Sequence, residues 1–393
     1  MGLEIRREDL PIRQLASGAQ LSIPVFHVQG THPGPRVYLQ ANIHGPEIAG
    51  IGAIYEFLGF LRQQTRLNGF MTLVPSVNPV GLNSKVSGHQ TGYADLNETV
   101  VGNFNRIYQW LVQDHAAPGE AKPGKVNLAA FVAEHGGADL PTLKRAFTAA
   151  LGRALDEQWA ARQATGMRHG LKLALTIQKM AYSADYVIDL HTAGKAIYHH
   201  YTFAECVPSA RYFGIPLMVL LDGSFSGVLD EACLLPWIKL RAALAATGRD
   251  IPFADFEREA FTPELGSADH LESSAMQADA ERVINYLRHK GVLQGAASLP
   301  NLPFQSTTHD DYQTYYAPRG GLLLWNKQPG DPVRAGELLA TLLHPYAETE
   351  TSRAGTQTPI YAARDGLLVS QSITQVMHEG MVLCSVATAL QPV

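Results

Sequence analysis

The chain of 393 residues is poor in several features that would each place it in a whole class of protein. It has three cysteines, Cys206, Cys233 and Cys384, far apart and with no C-x-x-C pair. That excludes a disulfide-stapled scaffold and a thiolate metal cage, and predicts reduced thiols in a cytoplasmic protein. No apolar run approaches the roughly 20 residues of a bilayer span, and "MGLEIRREDLPIRQ" has no apolar segment behind its basic residues. Neither a membrane partner nor a leader is expected. Charged residues make up only 17%, the net charge is -5 and basic clusters are missing, which argues against nucleic acid as a partner. The composition leaves the oligomeric state open and is compatible with a homo-oligomer.

What is present is an ordinary apolar fraction, 46%, and enough length for two or three domains. After "GAQLSIPVFHVQG", which alternates like a strand, short apolar runs alternate with helical patterns. "RVYLQANI" is followed by a helix to about Gln64, "FMTLVPSVNP" ends at an Asn-Pro turn, and "ADYVIDLHT" follows another helix. This order predicts an α/β domain with a mixed, largely parallel sheet flanked by helices, covering residues 1–300. A helical insertion is expected at about 112–182, where Leu143, Phe147, Leu151, Leu155 and Trp159 recur at helical spacing. The Gly-, Pro- and Ser-rich stretch that follows a helix near Ser267 to Lys290 reads as a linker.

Residues 301–393 are expected to form a C-terminal all-β domain. "YAPRGGLL" at Tyr316 returns as "YAARDGLL" at Tyr361, 45 residues later, each copy followed by a turn and a strand. Gly330, Asp331, Val333, Gly336, Asp365, Gly366 and Gly380 give this part a resemblance to the barrel-sandwich module of biotinyl and lipoyl carriers. The carrier lysine is missing from the joining segment "HPYAETETSRAGTQT", so the resemblance implies shape and not carrier chemistry.

His44 and Glu47 leave the strand "RVYLQANI" together, with Gly45 and Pro46 between them, and His191 ends the strand "ADYVIDLH". In parallel sheets ligands bind at the carboxyl ends of strands, so these residues are expected to converge there. Two histidines and a glutamate are the donor set of a catalytic zinc with one open position. Asp189, on the same strand face as His191, is placed to accept an imidazole N–H from a ligand or, equally, to cap a nearby loop. In "GNFNRIY", Arg106 can grip a carboxylate as a fork, with Asn105 adding a hydrogen bond. In "EREAFTPELGS", Glu264 can reach a water at the metal, whereas Glu257 and Glu259 fall where charged surface is expected.

The order H-x-x-E, Asn-Pro, N-x-N-R, D-L-H-T and T-x-E-L-G resembles the succinylglutamate desuccinylase and aspartoacylase family, relatives of the zinc carboxypeptidases. The matching positions are His44, Gly45, Glu47, Asn78, Pro79, Asn105, Arg106, Asp189, Leu190, His191, Thr192 and Glu264. The resemblance implies a zinc-carboxypeptidase-like fold and one zinc ion per chain on His44, Glu47 and His191. It further implies that Asn105 and Arg106 hold a substrate carboxylate and that Glu264 is the general base. One family feature is missing: the arginine before the Asn-Arg pair that polarises the scissile carbonyl. From Leu67 to Asn105 the only cations are Lys85 and, if protonated, His89. An aromatic-Pro-Gly after that pair is replaced by "IYQW". The expected activity is hydrolysis of an N-acyl amino acid, a small-molecule carboxylate substrate. The alternatives are a metallocarboxypeptidase and a metal-free relative that binds or assembles through its β module.

Overall fold

The structure is a computed structural model that describes residues 2–87, 89–92, 103–113, 122–345 and 356–393. Its centre is a mixed ten-stranded sheet. From one edge the order is Ile5–Gln14, Gln20–Gln29, Asn68–Val74, His32–Ala41, Tyr186–Ala193, Glu259–Ser267, His199–Thr202, Leu217–Leu220, Gln305–Thr308 and Gln391–Pro392. The strands Asn68–Val74, His32–Ala41, Tyr186–Ala193 and Glu259–Ser267 run parallel. Their continuous apolar runs, such as Val37, Tyr38 and Leu39, are buried on both faces, as a covered parallel sheet requires.

Helix Ala49–Arg62 packs on one face with helix Ser273–His289. A Cβ on Gly50 would stand 2.6 Å from the Cβ of Ala41 and 2.8 Å from that of Leu190, so a glycine is what lets this helix approach the two strands that carry the site. On the other face lies helix Leu229–Ala246, backed by helices Leu128–His135 and His169–Ala181. Between the latter two runs Leu140–Gln163, which buries Leu143, Phe147, Leu151 and Leu155 as a stripe. No described helix is long and apolar enough to cross a membrane.

The stretch read as a linker contains a strand, Gln305–Thr308, that extends the large sheet beside Leu217–Leu220. Its polar sequence gave no hydrophobic alternation, and the pairing comes from the neighbouring strand's backbone. The remaining C-terminal strands form antiparallel sheets around a core of Leu323, Val333, Leu342, Leu368, Leu383 and Val386. The repeat is visible in reciprocal bonds. Gly336 N–H donates to Ala362 O (2.8 Å) and Gly380 N–H to Ala317 O (2.9 Å), each copy's turn closing on the start of the other. Most of the lysine-free joining segment, 346–355, lies outside the described residues, as does 114–121 of the expected insertion.

Candidate metal and substrate site

Three parallel strands end at the same level, and the register decides which side chains meet. Gln40 stands opposite Asp189, and His191 opposite Glu264. Beyond Ala41 the chain turns through Asn42, which adopts a left-handed φ of 63° that asparagine tolerates better than most residues. The Asn42 amide then donates to the carbonyls of His44 (2.9 Å), Gly45 (3.0 Å) and Glu47 (3.2 Å). Asn78 donates to Ile43 O at 2.8 Å and also caps the short helix Pro79–Asn83. His44 and Glu47 thus sit in a loop held from inside, one step before helix Ala49–Arg62.

The two imidazoles flank one carboxylate. His44 Nδ1 lies 2.8 Å from Glu47 Oε1, and His191 Nδ1 lies 2.8 Å from Glu47 Oε2. The ring centroids are 5.4 Å apart, and one donor atom from each of the three residues falls within 4.8 Å of the others. The far nitrogens meet acceptors: His44 Nε2 is 2.7 Å from Asn103 Oδ1, and His191 Nε2 is 3.2 Å from Asp189 Oδ2. Each oxygen favours a hydrogen on Nε2, which leaves both Nδ1 atoms as ligands on the Glu47 side. Behind Asp189 a buried chain continues, with Gln40 Nε2 donating to Asp189 Oδ1 (2.8 Å) and Tyr38 OH to Gln40 Oε1 (2.9 Å). Burial alone would lift the Glu47 carboxyl, but the two imidazoles hold it down at about 2. The donor set, its convergence and the orientation of both rings fit a divalent cation such as zinc.

The cavity in front of this group measures about 190 Å³ and is lined also by Asn105, Arg106, Tyr201, Ser226, Asp230, Glu231, Thr262, Glu264 and His309. Glu264 is 8% exposed, and its Oε2 has no hydrogen-bond partner. Burial, together with the nearby Glu47 and Asp189 carboxylates, pushes it up to about 8 against the pull of His191. Glu257 and Glu259 are committed elsewhere: Glu257 pairs with Lys144 at 2.9 Å, and Glu259 accepts from Ser209, Tyr286 and Lys290. Asn105 and Arg106 lie on a single 3-10 turn, Phe104–Arg106. The Asn105 Nδ2 is 3.4 Å from His191 Nε2 and its Oδ1 is buried without a partner, while Arg106 Nη1 donates to Asn105 O at 2.6 Å. Lys85 is exposed and does not line the cavity.

The sequence reading did not reach Asn42, Asn103, Tyr201, Glu231 or His309. Asn103 had a signal, the first asparagine of N-x-N-R, and it caps the turn by accepting from Asn105 N–H at 2.7 Å. Tyr201 comes from a strand, His309 from a turn and Glu231 from the first turn of a helix, all brought to the cavity by the sheet order, whereas Asn42 lies two residues before His44 and holds its loop.

A parallel-centred sheet whose strand ends gather His44, Glu47 and His191 beside an unpaired carboxylate is an α/β fold with a candidate metal-binding group at the position where such sheets bind ligands. The chain belongs to the succinylglutamate desuccinylase/aspartoacylase family, whose catalytic-domain model matches residues 33–290. A protein of this family from Shewanella amazonensis SB2B is 31% identical, with a TM-score of 0.85 and coverage of 99% of this chain and 100% of that one. Another from Shewanella frigidimarina NCIMB 400 is 28% identical, with a TM-score of 0.88 and 99% of each chain covered. The product-bound ectoine utilization protein EutE (DoeB) from Ruegeria pomeroyi shares the fold at 18% identity and a TM-score of 0.66, over 98% of this chain and 95% of that one. The curated protein sequences give no match.

Proposed function

We propose that this chain is a zinc-dependent deacylase that hydrolyses the acyl amide of an N-acyl amino acid or a similar small carboxylate, with one ion on His44, Glu47 and His191. The observation that carries this reading is Glu264, a buried carboxylate with an unpartnered oxygen, directly across the strand register from His191. An ion held by the three ligands supplies Lewis acidity and lowers the pKa of water toward about 7. Glu264 takes the proton of the attacking water and returns it to the leaving amine; its raised proton affinity suits both transfers. Asp189 and Asn103 keep the imidazoles of His191 and His44 in their ligating orientation. Arg106 holds the substrate carboxylate through its fork. Asn105, beside Arg106 in the cavity wall, adds a hydrogen bond to the same carboxylate.

A cavity of about 190 Å³ is below the range of roughly 300–1,000 Å³ usual for ligand pockets. That favours a small acyl amino acid over the C-terminus of an extended peptide, the carboxypeptidase alternative. The reduced, buried thiols of Cys206, Cys233 and Cys384 accord with a cytoplasmic enzyme. The test is metal analysis of protein purified without chelator, followed by hydrolysis of N-acyl amino acids alongside C-terminal dipeptides. Faster cleavage of the dipeptides would replace the deacylase with a carboxypeptidase, and absence of both metal and turnover would leave a binding protein.

A further inference from the structure

We infer that the cavity selects an N-acyl amino acid with a single carboxylate and a cationic side chain, and rejects dicarboxylates. The inference rests on the deacylase reading for the identity of the ligand's acyl amide and first carboxylate. Its own support is the distribution of charge around the cavity.

Among the described residues lining the cavity, Arg106 is the single lysine or arginine. The chain supplies no arginine from Leu67 to Asn105, and residues 93–102, which run up to the Asn-Arg turn, contain neither lysine nor arginine. His309 lies on an exposed turn after the strand Gln305–Thr308, with the Asp222 carboxylate near enough to be influenced by it. One fixed cation can match one carboxylate, and here it is also near enough to Glu231 to attract it.

The lining holds acids besides the metal ligand. Asp230 and Glu231 stand in the first turn of helix Leu229–Ala246, 1% and 4% exposed. Asp230 is fully engaged, with Thr262 Oγ1 donating to one oxygen and Glu231 N–H to the other, both at 2.8 Å. Glu231 accepts from Ser226 N–H at 2.6 Å and from the Ser226 hydroxyl at 3.0 Å, with the Val228 N–H as a further donor, so both acids are held in place at the cavity wall. The cavity also contains a buried carboxylate oxygen with no hydrogen-bond partner, Glu264 Oε2. A second carboxylate on the ligand would lie close to Glu231 with no further lysine or arginine among the described lining residues to offset it, and such like-charge juxtaposition lowers affinity by about tenfold or more. An ammonium would pair with the Glu231 carboxylate and leave Arg106 to the ligand's own carboxylate.

The experiment compares N-acetyl-L-ornithine, N-acetyl-L-glutamine and N-acetyl-L-glutamate, which share an acyl group and nearly a length. Each is titrated calorimetrically into the zinc-loaded full chain, and hydrolysis is measured separately. The expected order is ornithine, then glutamine, then glutamate, with the first binding about 10- to 100-fold more tightly than the last. Glu231→Gln should bring the ornithine-to-glutamate ratio close to one, and raised salt should narrow it in the unmutated protein. Tightest binding of glutamate, or a ratio untouched by Glu231→Gln, would overturn the inference. A uniform loss for all three in that variant would also overturn it, because Glu231 would then serve only to orient Arg106. If the order holds but no compound is cleaved, the charge selection stands and the deacylase reading fails. If glutamate is bound and cleaved best, the reverse is true, and if none binds, both fail.

Discussion

At the amino ends of the central parallel strands, Asp185 pairs with Arg258 Nη1 at 3.0 Å through one oxygen and accepts from Arg36 N–H at 2.7 Å on the other, while Lys144 and Glu257 pair at 2.9 Å. At the carboxyl ends of the same strands, Glu264 is more deeply buried than Asp185, and one of its oxygens has no partner. The groove beside the first set, about 590 Å³, is the wider; the cavity beside the second is about 190 Å³. Volume therefore does not single out the proposed site in this molecule. An ion pair completed by its own fold has nothing left to offer a ligand, whereas a buried carboxylate left short of donors is a cost that a functional role can offset.

Four substitutions break or sharpen this contrast, from the largest expected effect to the smallest. Glu264→Gln keeps the shape and removes the base, so turnover should fall by roughly 10²–10⁴-fold while bound metal is retained. Unchanged turnover would move the role to another residue. At the opposite end Arg258→Met breaks the ion pair between the buried Arg258 and the half-buried Asp185 and removes the guanidinium 4.3 Å over Trp237, which should cost about 3–5 kcal/mol in denaturant unfolding with turnover per folded molecule unaltered. If its turnover collapsed as well, the two ends would not be separate in function.

Arg106→Lys should weaken kcat/KM for carboxylate substrates by roughly 2–5 kcal/mol, because a lysine cannot reproduce the fork. The corresponding amides should change little, and equal slowing of both would make Arg106 structural. Asp189→Asn should lower metal affinity about 10- to 100-fold in a chelator competition, the usual cost of disturbing the group that orients a ligating imidazole. Retained affinity would assign Asp189 to holding Gln40 and the strand pair instead.

The motif residues were legible because their signals are local. A strand that stops at a histidine, a turn of Gly45 and Pro46 followed by a glutamate, and a helical stripe from Leu143 to Leu155 can each be read within a window of about ten residues. Glu264 could be singled out from Glu257 and Glu259 for the same reason, by its Pro263 and Gly266 neighbours on an apolar strand. Gln305–Thr308 could not, because four polar residues show no hydrophobic period and are a strand only through the partner beside them.

The sequence by itself determined the candidate donor set His44, Glu47 and His191, the strand ends that present it, and the duplicated β unit at the C-terminus, since each is written in spacing along the chain. The tertiary structure alone decided that His309 and Glu231 enter the cavity with Arg106, that Asn103 rather than a carboxylate backs His44, and that Asp185 is neutralised while Glu264 is not. Those facts depend on sheet order and register, which bring together residues from 59 to about two hundred positions apart, and no local pattern specifies which charge will find a partner.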